Sequence, residues 1–556
     1  MHVNMKSLFL SIKGSGLDLW GFLAVGPLKG GESSKKNHSR ETEKEKQLQR
    51  GKEREMEISL WIVVSMVVGV MFVVSEKLRK PKSTMKLPPG PPKLPIIGNL
   101  HQNLLQLGSG GELIYVTLFK LSQKYGGIMT VWLGMKPTIV ISNHEGAWEV
   151  LVNKSADYAS RMLPYMSKYI TANWTTLLSS DHGPYWQSLR KGVQGFAMNP
   201  SSISSQTLSQ EKEAIALTQK IQEQAAVNGG IVHPIDNIRH NTIRVVGRLC
   251  FGPDFNNEAF VVGIDSFIDD IINISALARF ADAFPFIRYI PGLRGPFRKA
   301  AEIRDGIVSV VKPEITRYQL SKSPCTTCFL HFLLSNGYPM ETIIFTLFEM
   351  FMLSVDSTST ATAWALAFLI RNPEIQQKLF KEVSGGDEKR ERVTVDQVSK
   401  MPYLQAVVSE VFRMKPIAPL AIPHKTVNDT TLTDFKIDKG TAVIVNIYAV
   451  LHDPKVWDEP ERFMPERFLN ENARSAGMAM ERSFLPFGAG RRICAGMELG
   501  KLQVGLTLAN LINSFEWLAA DGDGPDMTDD FTTLLRMKEP LAARIKPRSN
   551  LGTSHF

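Results

Sequence analysis

Apolar positions along this chain fall into three patterns. From Ile58 to Val74, seventeen residues run without a charge. Further on, apolar residues recur at helical spacing over roughly 208–225, 258–278, 296–320, 340–371, 372–383 and 403–414. Alternating, β-branched stretches are short and few, at 128–141 and 441–446. No internal repeat interrupts this order. The pattern predicts a mainly α protein with small β-sheets, preceded by one uncharged helix.

As a helix, Ile58–Val74 reaches about 25 Å, at the short end for a bilayer. A signal peptide or a buried core helix has the same composition. No small-residue cleavage site follows, however, and Glu76-Lys77-Leu78-Arg79-Lys80-Pro81-Lys82 does. We read residues 56–75 as an uncleaved transmembrane anchor whose basic flank keeps the following body in the cytosol. Residues 76–98 form a basic and proline-rich linker. Leu87-Pro88-Pro89-Gly90-Pro91-Pro92 cannot join a helix or a central strand and reads as a stiff, extended segment; a proline-rich ligand for a partner is the competing reading. Residues 1–55 carry mixed charge and few structural signals. A chain starting at Met56 has the cleaner charge asymmetry, so 1–55 is expected to be a non-functional upstream extension.

The formal charge of +9 raises the question of nucleic acid. Residues 1–55 account for +4 and residues 76–93 for +5, whereas the chain from Leu94 onward is close to neutral. Basicity therefore belongs to the N-terminal region and implies no nucleic-acid partner. Four cysteines among 556 residues make no disulfide framework, consistent with a reducing compartment. Cys325 and Cys328 are spaced as a zinc half-site, but no second pair exists to complete it.

The densest chemistry lies at Phe487-Gly488-Ala489-Gly490-Arg491-Arg492-Ile493-Cys494-Ala495-Gly496. A lone cysteine in a glycine turn is often only a buried thiol. Here an aromatic stiffens the loop, Gly490 and Gly496 allow positive φ and close approach to a flat macrocycle, and Arg492 has the donor fork for a carboxylate. That set suits a haem held by a thiolate. Glu410 and Arg413 share one helix face, and Phe463-Met464-Pro465-Glu466-Arg467-Phe468 follows. Alone, the pair reads as a surface ion pair. Trp186 and Arg190, at i,i+4, aim an indole N–H and a guanidinium at one spot. Asp356 and Ser357 put a carboxylate beside a hydroxyl in a long apolar helix, suited to proton transfer or merely a polar interruption.

These segments, in this order and spacing, resemble the cytochrome P450 signature set, and the resemblance covers nearly the whole chain from Met56. It implies the P450 fold over 99–550 and haem b with Cys494 as axial ligand and iron-binding residue. It also implies that Phe487, Gly490, Arg492, Trp186, Arg190 and His424 bind the cofactor. Glu410, Arg413 and Arg467 are implied as a structural triad beneath it, and Asp356 with Ser357 as the proton-delivering pair. Leu353, Ser354 and Ser357 depart from the small residue, glycine and threonine usual there. By family position, Leu353, Val355, Ile417, Leu420 and Thr532 line the substrate pocket, with the 165–174 and 531–534 stretches. NADPH acts indirectly, through a membrane-bound NADPH–cytochrome P450 reductase that meets Arg491 and Arg492 on the proximal face.

Arg413-Met414-Lys415-Pro416-Ile417-Ala418-Pro419, Val355-Asp356-Ser357-Thr358 and Ala495-Gly496-Met497-Glu498-Leu499-Gly500 are similar to the plant enzymes of the canadine, stylopine, cheilanthifoline and pluviatolide synthase type. Arg491 departs from the methionine common in that group. The resemblance implies a small aromatic substrate, an ortho-methoxyphenol of alkaloid, lignan or phenylpropanoid type, closed to a methylenedioxy bridge at the endoplasmic reticulum membrane. Alternatives are an aromatic or terpenoid hydroxylase, a reductase-independent isomerase or dehydratase, and a non-catalytic haem-binding protein.

Overall fold

One long helix passes through two separate cores and sets the architecture. The computed structural model describes Gly69 and residues 87–102, 112–283, 295–386, 390–469 and 477–548. The expected extension 1–55 and, apart from Gly69, the expected anchor lie outside the described residues. Among those described, no helix is long and apolar enough to cross a membrane.

The principal helices are α1 (Ile114–Tyr125), α2 (Pro184–Gly192), α3 (Thr207–Val227), α4 (Ile235–Phe251), α5 (Glu258–Ala283), α6 (Gly295–Leu320), α7 (Phe329–Ser335), α8 (Met340–Arg371), α9 (Pro373–Val383), α10 (Pro402–Met414) and α11 (Met497–Ser514). The N-terminal half of α8 packs Ile343–Val355 against α4, α5, α6 and α7. Its C-terminal half, Ala361–Ile370, packs against α10, α11 and the strands after them. Between the halves lies the polar run Asp356–Thr360. Its hydroxyls turn back on the helix: Ser357 Oγ donates to Leu353 O at 2.7 Å and Ser359 Oγ to Val355 O at 2.8 Å. A buried helix tolerates such residues when they satisfy themselves locally.

Strands β1 (Ile128–Leu133) and β2 (Lys136–Ile141) form a hairpin. They join β8 (Ala442–Val445), β5 (His424–Lys425) and β3 (Ser160–Arg161) in a sheet of order β1-β2-β8-β5-β3. β4 (Ile231–Val232), β12 (Ala543–Pro547) and β9 (Phe515–Ala519) form a second sheet, and β6 (Thr430–Leu432) with β7 (Phe435–Ile437) and β10 (Asp529–Phe531) with β11 (Leu535–Met537) two hairpins.

All six expected helical stretches are helices, with ends within a few residues except α5, which runs to Ala283. The six expected stretches leave out α1, α2, α4, α7 and α11. Helix α11 buries 13 of its 18 residues and so lacks the polar face that reveals a helix. In α4 the arginines pair with other helices: Arg248 with Glu213, Arg244 with Glu258.

The proline-rich segment is docked along β1 from Pro88 onward. Thr130 N–H and Oγ1 donate to Pro89 O and Pro88 O, each at 2.8 Å, and Asn99 Nδ2 donates to Pro92 O at 3.0 Å. A Cβ on Gly90 meets Thr130 O at 1.9 Å. Gly90→Ala is expected to push this segment off the sheet at a cost of about 1–3 kcal/mol, read as a lower thermal midpoint; an unchanged midpoint contradicts the docking.

Candidate active site

The Phe487–Gly496 loop is shaped by two glycines. Gly488 and Gly490 have φ of +69° and +67°, a region open to glycine at little cost. Cys494 N–H donates to Phe487 O at 3.0 Å and closes the loop. A Cβ on Gly490 falls 1.6 Å from Leu151 O, so the close approach this glycine allows is to backbone. Gly496 differs from expectation: at φ −92° it caps the N-terminus of α11 and needs no left-handed conformation. Cys494 is exposed by surface area, yet protein packs around it. Burial pushes its thiol above the ordinary value, against pulls from Gly496 N–H and the nearby Arg190 cation. Holding the thiolate there therefore falls to a bound cation, which deprotonates a thiol outright.

Beneath the loop, one carboxylate gathers three partners. Glu410 Oε2 accepts from Arg413 Nε at 2.7 Å, and Oε1 accepts from Arg413 Nη2, Arg467 Nε and Met464 N–H at 2.9, 3.1 and 3.0 Å. Glu410 and Arg413 are 0% exposed. Arg413 Nη1 continues to Leu451 O, and Arg467 Nη2 to Glu459 O. Phe412, beside this network, meets Phe487 edge-on at 4.9 Å, which carries the support from α10 into the cysteine loop.

On the other side lies a concentration of cations. Arg492, Arg190, Arg161 and His424 approach one another, and none has a salt-bridge partner among the described residues. Three residues expected to bind the cofactor, Arg492, Trp186 and His424, also make contacts within the protein. Arg492 spends Nε, Nη1 and Nη2 on the carbonyls of Ala159, Leu177 and Ser180. Trp186 Nε1 donates to Leu177 O at 3.0 Å, so its N–H also ties down this segment. The Arg492 guanidinium lies over the Trp186 ring, 4.3 Å from its centre. His424 has both nitrogens engaged. Arginine can only donate, so Nε2 accepts from Arg161 Nη1 at 3.0 Å and Nδ1–H donates to Tyr158 O at 2.6 Å. The ring is neutral, its pKa pushed down to about 3 by burial and by Arg161.

The sequence reading missed Arg161. Its Nε is buried with no hydrogen-bond partner, and burial together with Arg492 lowers its pKa to about 9. A buried guanidinium with a free donor asks for an anion. The Arg190 side chain likewise makes no hydrogen bond among the described residues. A macrocycle with two carboxylate arms, seated over Cys494, fits this donor set, with Arg161 and Arg190 as its free donors.

Helix α8 crosses the opposite wall. Met350, Leu353, Ser354 and Ser357, at helical spacing, are its less buried stripe, and Leu353 is 41% exposed. Val355 is not part of that stripe: it is 0% exposed and packs in the core with Phe351. Ile417 and Leu420 are buried, and Thr532 is half-buried. Asp356 and Ser357 do not meet. The serine bonds to its own helix, whereas Asp356 pairs through Oδ1 with Arg239 Nη1 of α4 and through Oδ2 with Arg536 Nη2 of β11. A second residue missed in the sequence is Glu349. It accepts from Leu178 N–H at 2.8 Å, its Oε2 has no partner, and burial pushes its carboxyl up to about 7. The C-x-x-C thiols are free, Cys328 stands at the N-terminus of α7, and no metal-ligand cluster occurs among the described residues.

Two outcomes follow from the buried charges. Glu410→Ala strands two guanidiniums and is expected to cost about 3–5 kcal/mol in unfolding measurements; a loss below about 1 kcal/mol contradicts the lock. His424, neutral when folded but ordinary at 6.5 when unfolded, lets the unfolded chain bind the proton first. Its contribution is complete above pH 6.5 and declines as pH falls, so His424→Asn should flatten the stability profile between pH 6.5 and about pH 5.

The comparisons agree with this geometry. The chain is 48% identical over 505 residues to cheilanthifoline synthase of Eschscholzia californica, covering 89% of this chain and all of that protein. It is 47% identical over 498 residues to (S)-canadine synthase of Papaver somniferum, covering 88% and 99%. It is 42% identical over 496 residues to pluviatolide synthase of Podophyllum peltatum, covering 88% and 98%. The family uses haem b held by a cysteine thiolate and fed with electrons from NADPH through a reductase. With its cysteine loop, its buried lock and a match of the Cytochrome P450 family profile over residues 88–544, the chain belongs to the cytochrome P450 family.

Proposed function

We propose that this enzyme closes a methylenedioxy bridge on an ortho-methoxyphenol of alkaloid, lignan or phenylpropanoid type. The observation that carries the reading is the 42–48% identity, spread along the catalytic chain, to synthases named for cheilanthifoline, (S)-canadine and pluviatolide. The overall reaction takes two hydrogens from the substrate. With O2, NADPH and a proton it yields the bridged product, two waters and NADP+.

Bound haem supplies the oxidising power, and the residues supply place and protons. Cys494 would hold the haem iron and Arg161 and Arg190 would bind its carboxylates, while Arg492 and Trp186 fix the 177–180 segment. Gly490 and Phe487 shape the loop, and Glu410, Arg413 and Arg467 hold it from below. Ser357 places a hydroxyl on the open stripe of α8 for proton delivery, beside Leu353, whose bulk narrows the wall where the aromatic ring lies. Holding the methoxy carbon and its neighbouring phenol together is a matter of orientation, worth orders of magnitude in rate. The reductase docks on the face carrying Arg491, which is exposed. Ile58–Val74 anchors the enzyme in the endoplasmic reticulum membrane with its body in the cytosol.

The test is expression in microsomes with a reductase and ortho-methoxyphenol substrates. A product two hydrogens lighter than its substrate supports the reading; a product one oxygen heavier identifies a hydroxylase. Ser357→Ala is expected to lower NADPH-coupled product formation by on the order of 100-fold, and unchanged coupling removes the serine from proton delivery.

A further inference from the structure

Hairpin β10–β11 is tied down on both strands. On β10, Asp529 accepts from Tyr115 Oη at 2.6 Å and pairs with Lys415 Nζ. On β11, Leu535 N–H donates to Ile417 O at 2.8 Å, and the next residue, Arg536, pairs with Asp356. Phe531 at the end of β10 is buried edge-on against Tyr115, with ring centres 5.6 Å apart. Residues 532–534 form the connecting turn.

Both oxygens of Asp356 are engaged by arginines. One oxygen holds Arg536 and the other holds Arg239, which itself reaches Asp265 at 2.6 Å and Asp269 at 2.9 Å on α5. Asp356 is 2% exposed. A single carboxylate thus joins α4, α5 and β11 to one point on α8. That point is the residue immediately before Ser357, so the hairpin is registered to the open stripe through one peptide unit.

We propose that Arg536 is a positioning residue for substrate selectivity, setting where residues 532–534 stand relative to Leu353 and Ser357 on α8. The inference rests on the bridge-forming reading for the identity of the products, and on the ion pair for the positioning. Arg536 acts through the hairpin on a flat aromatic substrate, whose methoxy carbon and phenol must both be aligned. A displacement of about 1 Å at such a site costs on the order of 100-fold in rate. Its guanidinium makes a directed contact that a lysine ammonium reproduces only as a point charge. Removing Arg536 alone leaves Asp356 paired with Arg239 and no buried carboxylate stranded. Removing Arg239 instead takes a partner from Asp356, Asp265 and Asp269 at once.

The experiment uses the full chain in microsomes with a reductase, comparing the parent with Arg536→Met and Arg536→Lys. The reduced carbon monoxide spectrum reports an intact haem–thiolate site. Substrate-induced spectral titration reports binding, and product masses with NADPH consumed per product report selectivity. Arg536→Met is expected to keep the spectrum and lose on the order of 100-fold in bridged product, diverting NADPH to hydroxylated product or uncoupled oxidation. Arg536→Lys is expected to recover part of that loss. Parent-like product ratios and coupling in Arg536→Met overturn the proposal. So does a lost spectrum in Arg536→Met combined with parent-like selectivity in Arg536→Lys, which marks a purely structural pair. If the parent itself only hydroxylates, the bridge reading fails. The positioning role is then judged on the sites of hydroxylation, which Arg536→Met must redistribute; unchanged sites overturn it.

Discussion

The buried Glu410 carboxylate binds together parts of the chain that have no other reason to meet. Its two oxygens take hydrogen bonds from Arg413 on the same helix, from Arg467 and from Met464 N–H more than fifty residues later. Burying one carboxylate with two guanidiniums is expensive unless every donor is used. Here the remaining donors reach Leu451 O, Arg462 O and Glu459 O. The segment 451–467 therefore cannot move without breaking a charged network in a dry interior. Phe484, packed with Phe468 and Trp457 at the far end of that segment, then leads into the cysteine loop. The loop's position is fixed from below before any cofactor contact is counted.

Above the loop the logic is reversed. Arg161, Arg190 and Arg492 gather where no carboxylate pairs with them, and His424 is kept neutral so that it can accept from Arg161 rather than repel it. A protein that satisfies Glu410 so completely leaves Arg161 Nε without a partner. One side completes itself with protein, while the other leaves a buried guanidinium donor open. Arg492 and Trp186 belong to neither group. They converge on Leu177 O, and Leu178 N–H, one residue on, donates to Glu349 of α8. The 177–180 segment thus links the cysteine loop to the helix on the opposite wall.

What was legible in the sequence follows from how local each signal is. Helices with one wet face, such as α9, show their period, whereas α11, with 13 of its 18 residues buried, shows little of it. Glu410, Arg413 and Arg467 were readable through the resemblance to the P450 signature set, since spacing alone reads as a surface ion pair. The donors of the anion site were not. Arg161 sits on a two-residue strand, and only the pairing of β3 with β5, Arg161 opposite His424, brings it into place. The resemblance likewise implied that Trp186, Arg492 and His424 bind the cofactor, but a sequence cannot show the backbone carbonyls that these side chains also meet. Val355 illustrates a related limit: each helical residue turns by about 100°, so two positions turn by about 200°, and Leu353 faces the opening while Val355 packs in the core.

The same geometry separates two residues that the sequence places side by side. Asp356 and Ser357 read as one acid–alcohol unit, yet consecutive helical residues diverge, and the stronger partners decide where each one goes. Two arginines outcompete a neutral hydroxyl for a carboxylate, since a charge-assisted hydrogen bond is roughly twice as strong as a neutral one. The hydroxyl, left alone, turns back to Leu353 O. Position 357 therefore supplies a small polar group to the open face, and position 356 joins the walls of the pocket. Serine instead of a branched threonine, and serine instead of glycine at 354, leave this part of α8 with hydroxyls bonded to its own carbonyls. Bulk enters the wall through Leu353. Position 356 meanwhile ties the hairpin that carries Arg536 to the residue next to that open stripe.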